Sequence, residues 1–597
     1  MSSQSAGGVA LPGAGPAAVG RRLLPPRLAA WLVRPWLALA VFAVLACTSM
    51  ARKSATYDEP ILLVSGARFL RTFDPALNAE NPPLLKALFA LPTLAAEHYR
   101  TAVDIDAGLR YSYSMGDEFE FANQVLFSDP AHRRMLFCCR LLSVALAACL
   151  GLALYAVCRA RWSAAVAVGV LWLYALCPNV LAHAQLLTPD LGCAFFVFLT
   201  AVCLYQLLAT ARWRWAVLLG LALGGALLTK FTAVLLLPCM VLQTALVLAL
   251  GPRQPWRRLL PGFVVAGVVA LTLLNAAYGG RGTPTVLAGA RYHSPLVQRL
   301  QALPGLSRLP LPVPEAYVRG FDIVAFNNQP GFPNIFLGKL YPQGGRWWFY
   351  YLVALATKTP IPFLALVFTG LALCVRRGRA GAAELAFFAV IPVVFLLIFS
   401  LVAYRQLGLR YILPLWPFFL LSAGVAIAAA LRLWPTLRSV PTAGRRLGLV
   451  AAAWYALSCL LIYPDFLSYY NEWAGGPKRG WRILVESNLD WGQDLPALAA
   501  WQRRHHDPAM FVLYYGSAPP AAYGVQVQPW GTLPPPPFIA ISATNLFMAQ
   551  EAPLVRYLRD RCEPLDYAGR SILIYAITAG VIQGVVGSPP EGPGATP

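Results

Sequence analysis

Charge is what this chain has least of: only 12% of its 597 residues are Asp, Glu, Lys or Arg, against roughly 25% in an ordinary soluble domain. That scarcity excludes a soluble globular enzyme. Acids are the scarcer sign, 26 against 48 Lys and Arg, for a net charge of +22. In a soluble protein such an excess points to nucleic acid. In a chain this apolar it reports topology, because cytoplasmic loops of membrane proteins collect Lys and Arg, and no nucleic-acid partner is expected. Low hydrophobicity and a strict glycine period are both missing, which excludes disorder and collagen. A disulfide framework is missing as well. Of the 12 cysteines, Cys138, Cys139, Cys149, Cys203, Cys239 and Cys459 sit in apolar runs, where a thiol behaves as a small hydrophobe. Only Cys562 lies in a clearly polar segment. No inverted internal repeat of the kind common in transporters is present.

What is present is hydrophobic residue, 58% of the chain, in long runs. A bilayer core takes about 20 mostly apolar residues per helix. Roughly eleven stretches qualify, at about 30–49, 136–158, 162–180, 191–209, 213–228, 230–250, 259–278, 347–375, 383–404, 411–431 and 447–463. The first follows Arg21, Arg22 and Arg27 and lacks a small-residue cleavage site, so it reads as an uncleaved anchor with the N-terminus cytoplasmic. Every second loop is then basic and free of acids: CRARW, ARWRW, GPRQPWRR, RRGR and LRLWPTLRSVPTAGRR. The acids fall on the other side, eleven in residues 50–133 and eleven after residue 463, with Asp190, Glu315 and Asp322 in outer loops and Glu384 alone near an inner end.

The expected architecture is mainly α, a polytopic membrane helical bundle with long outer loops at 50–133 and 279–346. It runs from a cytoplasmic tail at 1–29 through a transmembrane domain at 30–463 to an extracytoplasmic domain at 464–585 and a disordered tail at 586–597. Short apolar runs at 510–515, 538–542 and 572–576, separated by helical pattern, read as a small α/β fold.

The first outer loop opens with Ala55-Thr56-Tyr57-Asp58-Glu59-Pro60. Adjacent residues do not share a helix face, so one carboxylate can point into a cavity while the other bonds backbone; helix capping is the alternative for either. The same loop carries Glu80 ahead of Pro82-Pro83, with Lys86 after them. Lys86, Lys230, Lys358 and Arg410 fall near outer ends of spans, and Lys230 and Arg410 stand out because they run against the usual bias of positive charge beside helices almost free of charge. Each is read either as a site cation or as a side chain snorkelling to the interface. Arg140, inside the second span, is a weaker case of the same kind. His183 and Asp190 share a short outer loop, HAQLLTPD; a metal normally needs three or four ligands, so hydrogen-bonding roles are favoured. Asn471, Glu472, Asp490, Trp491 and Asp494 line an outer acceptor surface or form a folded junction.

The segments YDEP, LNAENPPLLK, LTPDLG, LLTKFTA, KTPIPFL, GLRYILPLWPF, YYNEWAGGPKRGW and ESNLDWGQDL, in that order between about residues 55 and 495, resemble the glycosyltransferase family 39 group of the GT-C superfamily. Its relatives are the protein O-mannosyltransferases and the bacterial lipid A aminoarabinose transferase. The resemblance implies a GT-C-like membrane enzyme that moves a sugar from a polyprenyl-phosphate carrier to a lipid, glycan or protein acceptor on the outer face of a bacterial-type plasma membrane. It implies an inverting displacement in which Asp58 is the base, with Glu59 and Glu80 the neighbouring site acids. Lys86, Lys230, Lys358 and Arg410 are then candidates for the donor phosphate. Asn81 stands where the aminoarabinose transferases have a lysine, so that one phosphate contact is missing or supplied elsewhere. No cofactor is implied, and a divalent metal is left open. The alternative function is a transporter or flippase of lipid-linked sugars.

Overall fold

The computed structural model describes residues 34–101, 104–105, 107–250, 255–433 and 442–587. The expected cytoplasmic tail and most of the expected C-terminal tail lie outside them. The chain opens with α1 (Pro35–Met50), then α2 (Glu59–Thr72), α3 (Pro83–Ala90) and α4 (Met115–Phe127) of the first long loop. The bundle continues through α5 (His132–Arg161), α6 (Ala164–Ala175), α7 (Pro178–Ala184), α8 (Pro189–Thr210), α9 (Trp213–Leu227), α10 (Leu236–Leu250) and α11 (Trp256–Ala277). After the second long loop, with α12 (Glu315–Asn327) and the hairpin β1 (Asn334–Phe336) and β2 (Lys339–Tyr341), come α13 (Tyr350–Lys358), α14 (Ile361–Arg376), α15 (Arg379–Leu401), α16 (Trp416–Leu433) and α17 (Thr442–Leu460).

Among the described residues six helices are long and apolar enough to cross a membrane, and eight if each of two bent pairs counts as one span. All eleven apolar stretches of the sequence form helix. Three of them, α1, α9 and α17, are shorter than a full crossing, and two are not straight. The stretch 162–180 bends by 65° between α6 and α7, and 347–375 bends by 117° between α13 and α14. Pro178 and Pro360 sit at these bends; proline lacks an N–H and disfavours helix at the residue before it. The carbonyls freed there need donors, and amide side chains supply them. Asn471 Nδ2 bonds Ala356 O at 2.5 Å and Thr359 O at 2.8 Å, while Asn179 Nδ2 bonds Lys358 O at 2.6 Å.

The C-terminal part contains α18 (Leu495–Arg504), β3 (Met510–Leu513), β4 (Phe538–Ser542), α19 (Pro553–Arg561), β5 (Asp566–Ala568), β6 (Ile572–Ala576) and α20 (Ala579–Gly587). Its sheet has the order β3-β4-β6-β5, with β3 and β4 parallel and the other pairs antiparallel. The three apolar runs became β3, β4 and β6; β5, half exposed and with Asp566 at its start, carries no such signal. Successive side chains of a strand alternate faces. Ile539, Ile541, Leu573 and Tyr575 accordingly join the large core shared with the bundle, whereas Ala540, Ile572 and Ile574 join a second core with Leu498 and Trp501 of α18 and with the first-loop helices. Burial on both faces explains why these strands read as continuous apolar runs. Residues 465–494 wind across the first loop: Lys53 bridges Asp465 and Asp494, and Tyr57 N donates to Trp491 O at 2.9 Å.

Candidate active site

Pro60 occupies the first turn of α2, where its missing N–H is no loss. Asp58 holds the N-cap position of α2, but its side chain makes no capping bond. Its Oδ2 accepts instead from Arg410 Nη1 at 2.8 Å, in a pair that leaves 26% of the aspartate and 11% of the arginine side chain exposed. Glu59 turns the other way and is fully buried. It accepts from Arg140 Nε at 2.8 Å and Nη2 at 2.5 Å, Thr56 N at 2.8 Å, Thr56 Oγ1 at 3.0 Å and Leu187 N at 3.1 Å. With both oxygens engaged and no exposure, Glu59 is held by the scaffold and does not share the partly open position of Asp58. Arg140 completes the clamp by donating to Met50 O, Lys53 O and Ser54 O at 3.2, 3.3 and 2.8 Å.

A short 3-10 turn, Leu409–Leu415, carries Arg410 and Tyr411. The Arg410 guanidinium lies 4.3 Å from the Trp491 ring centre and 5.3 Å from that of Tyr411. Lys230, between α9 and α10, approaches the same Tyr411 ring at 4.7 Å and pairs with Asp190 Oδ1 at 2.5 Å. Two cations thus share one aromatic platform, an arrangement that fixes their positions without neutralising them. Each holds one carboxylate, and unmatched polar atoms surround them: Arg410 Nε, Asp190 Oδ2 and His183 Nδ1 are buried without a partner. With Asp190 bonded to a lysine, the His183–Asp190 pair does not read as a metal site. No group of three or more His, Cys, Asp or Glu residues suited to a metal occurs among the described residues.

Glu80 closes another side, its Oε2 accepting from Asn327 Nδ2 at 3.3 Å. Burial first, and then the charge of Asp58, push its carboxyl above the usual range. Glu486 is raised by burial and by Asp58 against the opposing pull of Arg410, and its φ of 58° places it in the left-handed region that non-glycine residues seldom occupy. Asp58 and Arg410 therefore act electrostatically, with opposite sign, on both Glu80 and Glu486. Glu486, Tyr411 and Asn327 were not separable in the sequence. Glu486 lay within ESNLDWGQDL and Tyr411 beside Arg410, but nothing local distinguishes them from scaffold.

The other expected residues lie in structural roles. Lys86 Nζ donates to Leu77 O at 2.9 Å and Asn78 O at 3.1 Å, and Lys358 Nζ to Leu467 O and Asn488 O, all buried. Asn471 serves the α13–α14 bend, Glu472 accepts from Trp454 Nε1 at 2.7 Å on the surface, and Asp494 holds Lys53 and Ser571. Asp490 accepts from Thr544 N at 3.0 Å and is pushed by burial up to about 7. Of the expected acceptor residues, Trp491 alone packs on a site cation.

Fold and site together define a polytopic helical membrane protein in which the ends of α2, α8 and α9 and the 409–415 turn converge on a cluster of partly exposed cations and carboxylates. Residues 132–278 match the family model described as dolichyl-phosphate-mannose-protein mannosyltransferase, which bears out the resemblance read from the motifs. No curated protein matches the chain. Among solved structures it is similar to ArnT from Cupriavidus metallidurans bound to undecaprenyl phosphate, with 16% identity over 92% of this chain and 99% of that one and a TM-score of 0.44. It is also similar to the apo oligosaccharyltransferase of Archaeoglobus fulgidus, at 12% identity over 88% of this chain and 71% of that one, TM-score 0.44. A third is the archaeal oligosaccharyltransferase AglB from Archaeoglobus fulgidus in complex with an inhibitory peptide and a dolichol-phosphate, at 13% identity over 83% and 60%, TM-score 0.41.

Proposed function

We infer that the protein is a membrane glycosyltransferase that moves a sugar from a polyprenyl-phosphate carrier to an acceptor hydroxyl on the extracytoplasmic face. The observation that carries this reading is the Tyr411 platform, on which Arg410 and Lys230 stand beside Asp58 in a partly open site. A phosphodiester donor supplies the anion that two adjacent cations with incomplete hydrogen bonding can hold. Asp58 takes the proton of the acceptor hydroxyl as its oxygen forms a bond to the anomeric carbon. The bond from that carbon to the phosphate oxygen breaks on the opposite side, inverting the centre. The carrier leaves as a monophosphate with one more negative charge, which Arg410 and Lys230 stabilise. Glu80, held at the site by Asn327, is placed to hydrogen-bond donor or acceptor hydroxyls. The match to a dolichyl-phosphate-mannose-dependent family over 132–278 supports the class of donor.

The two bent helix pairs favour a second reading, since broken helices also build the sites of transporters. The readings part at one bond. The test incubates the purified protein with labelled polyprenyl-phosphate sugars and a membrane extract, and follows the sugar–phosphate linkage. Release of free polyprenyl phosphate with label in a new acceptor supports transfer; relocation of intact donor across a vesicle membrane, with no cleavage, overturns it.

A further inference from the structure

A concavity lies beside the site, outside the spans, with a volume of about 560 Å³, a size usual for small-ligand pockets. One wall is a single face of α4, where Phe119, Glu120, Asn123, Gln124 and Phe127 follow helical spacing. The opposite wall is Tyr57 with the 516–519 segment after β3. Tyr57 is fixed there: its ring stacks on Tyr515 at 5.8 Å and meets Phe119 at 5.1 Å, and its carbonyl accepts from Ser517 Oγ at 2.9 Å. The next residue is Asp58, so the cleft and the Asp58–Arg410 pair are contiguous along the backbone.

Two further observations define what would fit. Asn123 Oδ1 is buried with no hydrogen-bond partner; such an atom costs stability unless something supplies a donor. Glu120 is the only charged residue lining the cleft, and no Lys, Arg or His does so. Anionic ligands therefore lack a counter-charge. Aromatic faces flanked by carboxamide and hydroxyl groups match a ligand with apolar C–H faces and a rim of neutral hydroxyls, which is a saccharide.

We propose that this cleft is an acceptor subsite that binds an uncharged saccharide and delivers one of its hydroxyls past Tyr57 to Asp58. The proposal rests on the glycosyl-transfer reading and adds the chemical class of acceptor to it. The test uses the full chain in lipid nanodiscs and saturation-transfer NMR with maltotriose, mannotriose and lactose as neutral probes, glucose 6-phosphate as an anionic one and a Ser/Thr-rich peptide. At least one neutral saccharide is expected to bind the wild type and to lose binding by about tenfold in Asn123→Leu, the scale of one lost hydrogen bond. Gln124→Ala, on the exposed rim, is expected to weaken it less. Since Asn123→Leu removes an unsatisfied polar atom, its thermal midpoint should not fall, which separates loss of ligand from loss of fold. No neutral saccharide bound, equal binding in both variants, or preference for the peptide or the phosphosugar would each overturn the proposal. Undecaprenyl phosphate binding, measured in the same samples, should be present and unchanged in both variants. Its absence from the wild type would count against the glycosyl-transfer reading itself, whereas its presence without saccharide binding would sink the cleft alone.

Discussion

Asp58→Asn and Glu59→Gln remove one negative charge each, one residue apart, at almost constant shape, yet the structure assigns them opposite consequences. Glu59 has no exposure and accepts five hydrogen bonds, two of them from Arg140. Neutralising it leaves the Arg140 guanidinium buried among backbone carbonyls with no counter-charge, and breaking a buried pair from one side costs about 3–5 kcal/mol. That is a large share of the roughly 5–15 kcal/mol that holds a native fold. Asp58 makes one ion pair and is a quarter exposed, so losing its charge should cost no more than about 1 kcal/mol in stability. Its effect belongs in the chemistry: removing a general base lowers turnover by about 10²–10⁴-fold. The assay is sugar transferred per correctly folded molecule, with folded protein quantified by size exclusion and stability read from thermal midpoints in the same detergent. Asp58→Asn should keep its midpoint and lose transfer; Glu59→Gln should lose midpoint and keep most of its transfer per folded molecule. Near wild-type transfer by Asp58→Asn would refute the base assignment. An unshifted midpoint for Glu59→Gln would refute the scaffold assignment.

Three other outcomes are expected. Lys230→Gln and Arg410→Gln should each weaken binding of a polyprenyl phosphate by about ten- to a hundredfold, the scale of a charged hydrogen bond of 1.5–3 kcal/mol, and wild-type affinity in both variants would return these cations to a structural role. Glu118, on α4, is pushed by burial up to about 8, against the backbone bond from Asn78 N and the charge of Lys86. Its folded value lies above its unfolded one, so its contribution to stability is full below about 4.5 and is lost as pH rises to about 8. The wild-type midpoint should therefore fall between pH 5 and pH 8, and Glu118→Gln should flatten that slope; identical slopes would show that Glu118 ionises freely. Cysteines placed at the exposed positions of Asp117 and Asp507 should react with an impermeant reagent in cells whose outer membrane alone is permeabilised, and protection of both until the inner membrane is opened would reverse the orientation read from the basic loops.

Much of this architecture was legible because its signals are local. Long apolar runs for helices and short ones for strands depend on residues a few positions apart, so the eleven helical stretches and three of the four strands of the C-terminal sheet could be placed from the chain alone. Lys230 and Arg410 could be singled out as charges out of keeping with their surroundings, and Asp58 through the family resemblance. The bends at Pro178 and Pro360 were less legible, since a proline within an apolar run marks a break without setting its angle. At Pro360 the carbonyls freed by the break are taken up by the distant side chains of Asn179 and Asn471. Most of all, residue type and spacing could not show that Glu59 and Lys358 are bound up in the scaffold while Asp58 and Lys230 stay partly exposed. Each difference depends on a partner far along the chain: Arg140 lies 81 positions from Glu59, Arg410 lies 352 from Asp58, and the Asn488 carbonyl lies 130 from Lys358. Residue type and spacing state which charges the chain carries. Whether a charge is satisfied by the scaffold or left open for a ligand depends on what packing brings to within hydrogen-bond distance, and only the tertiary structure decided that.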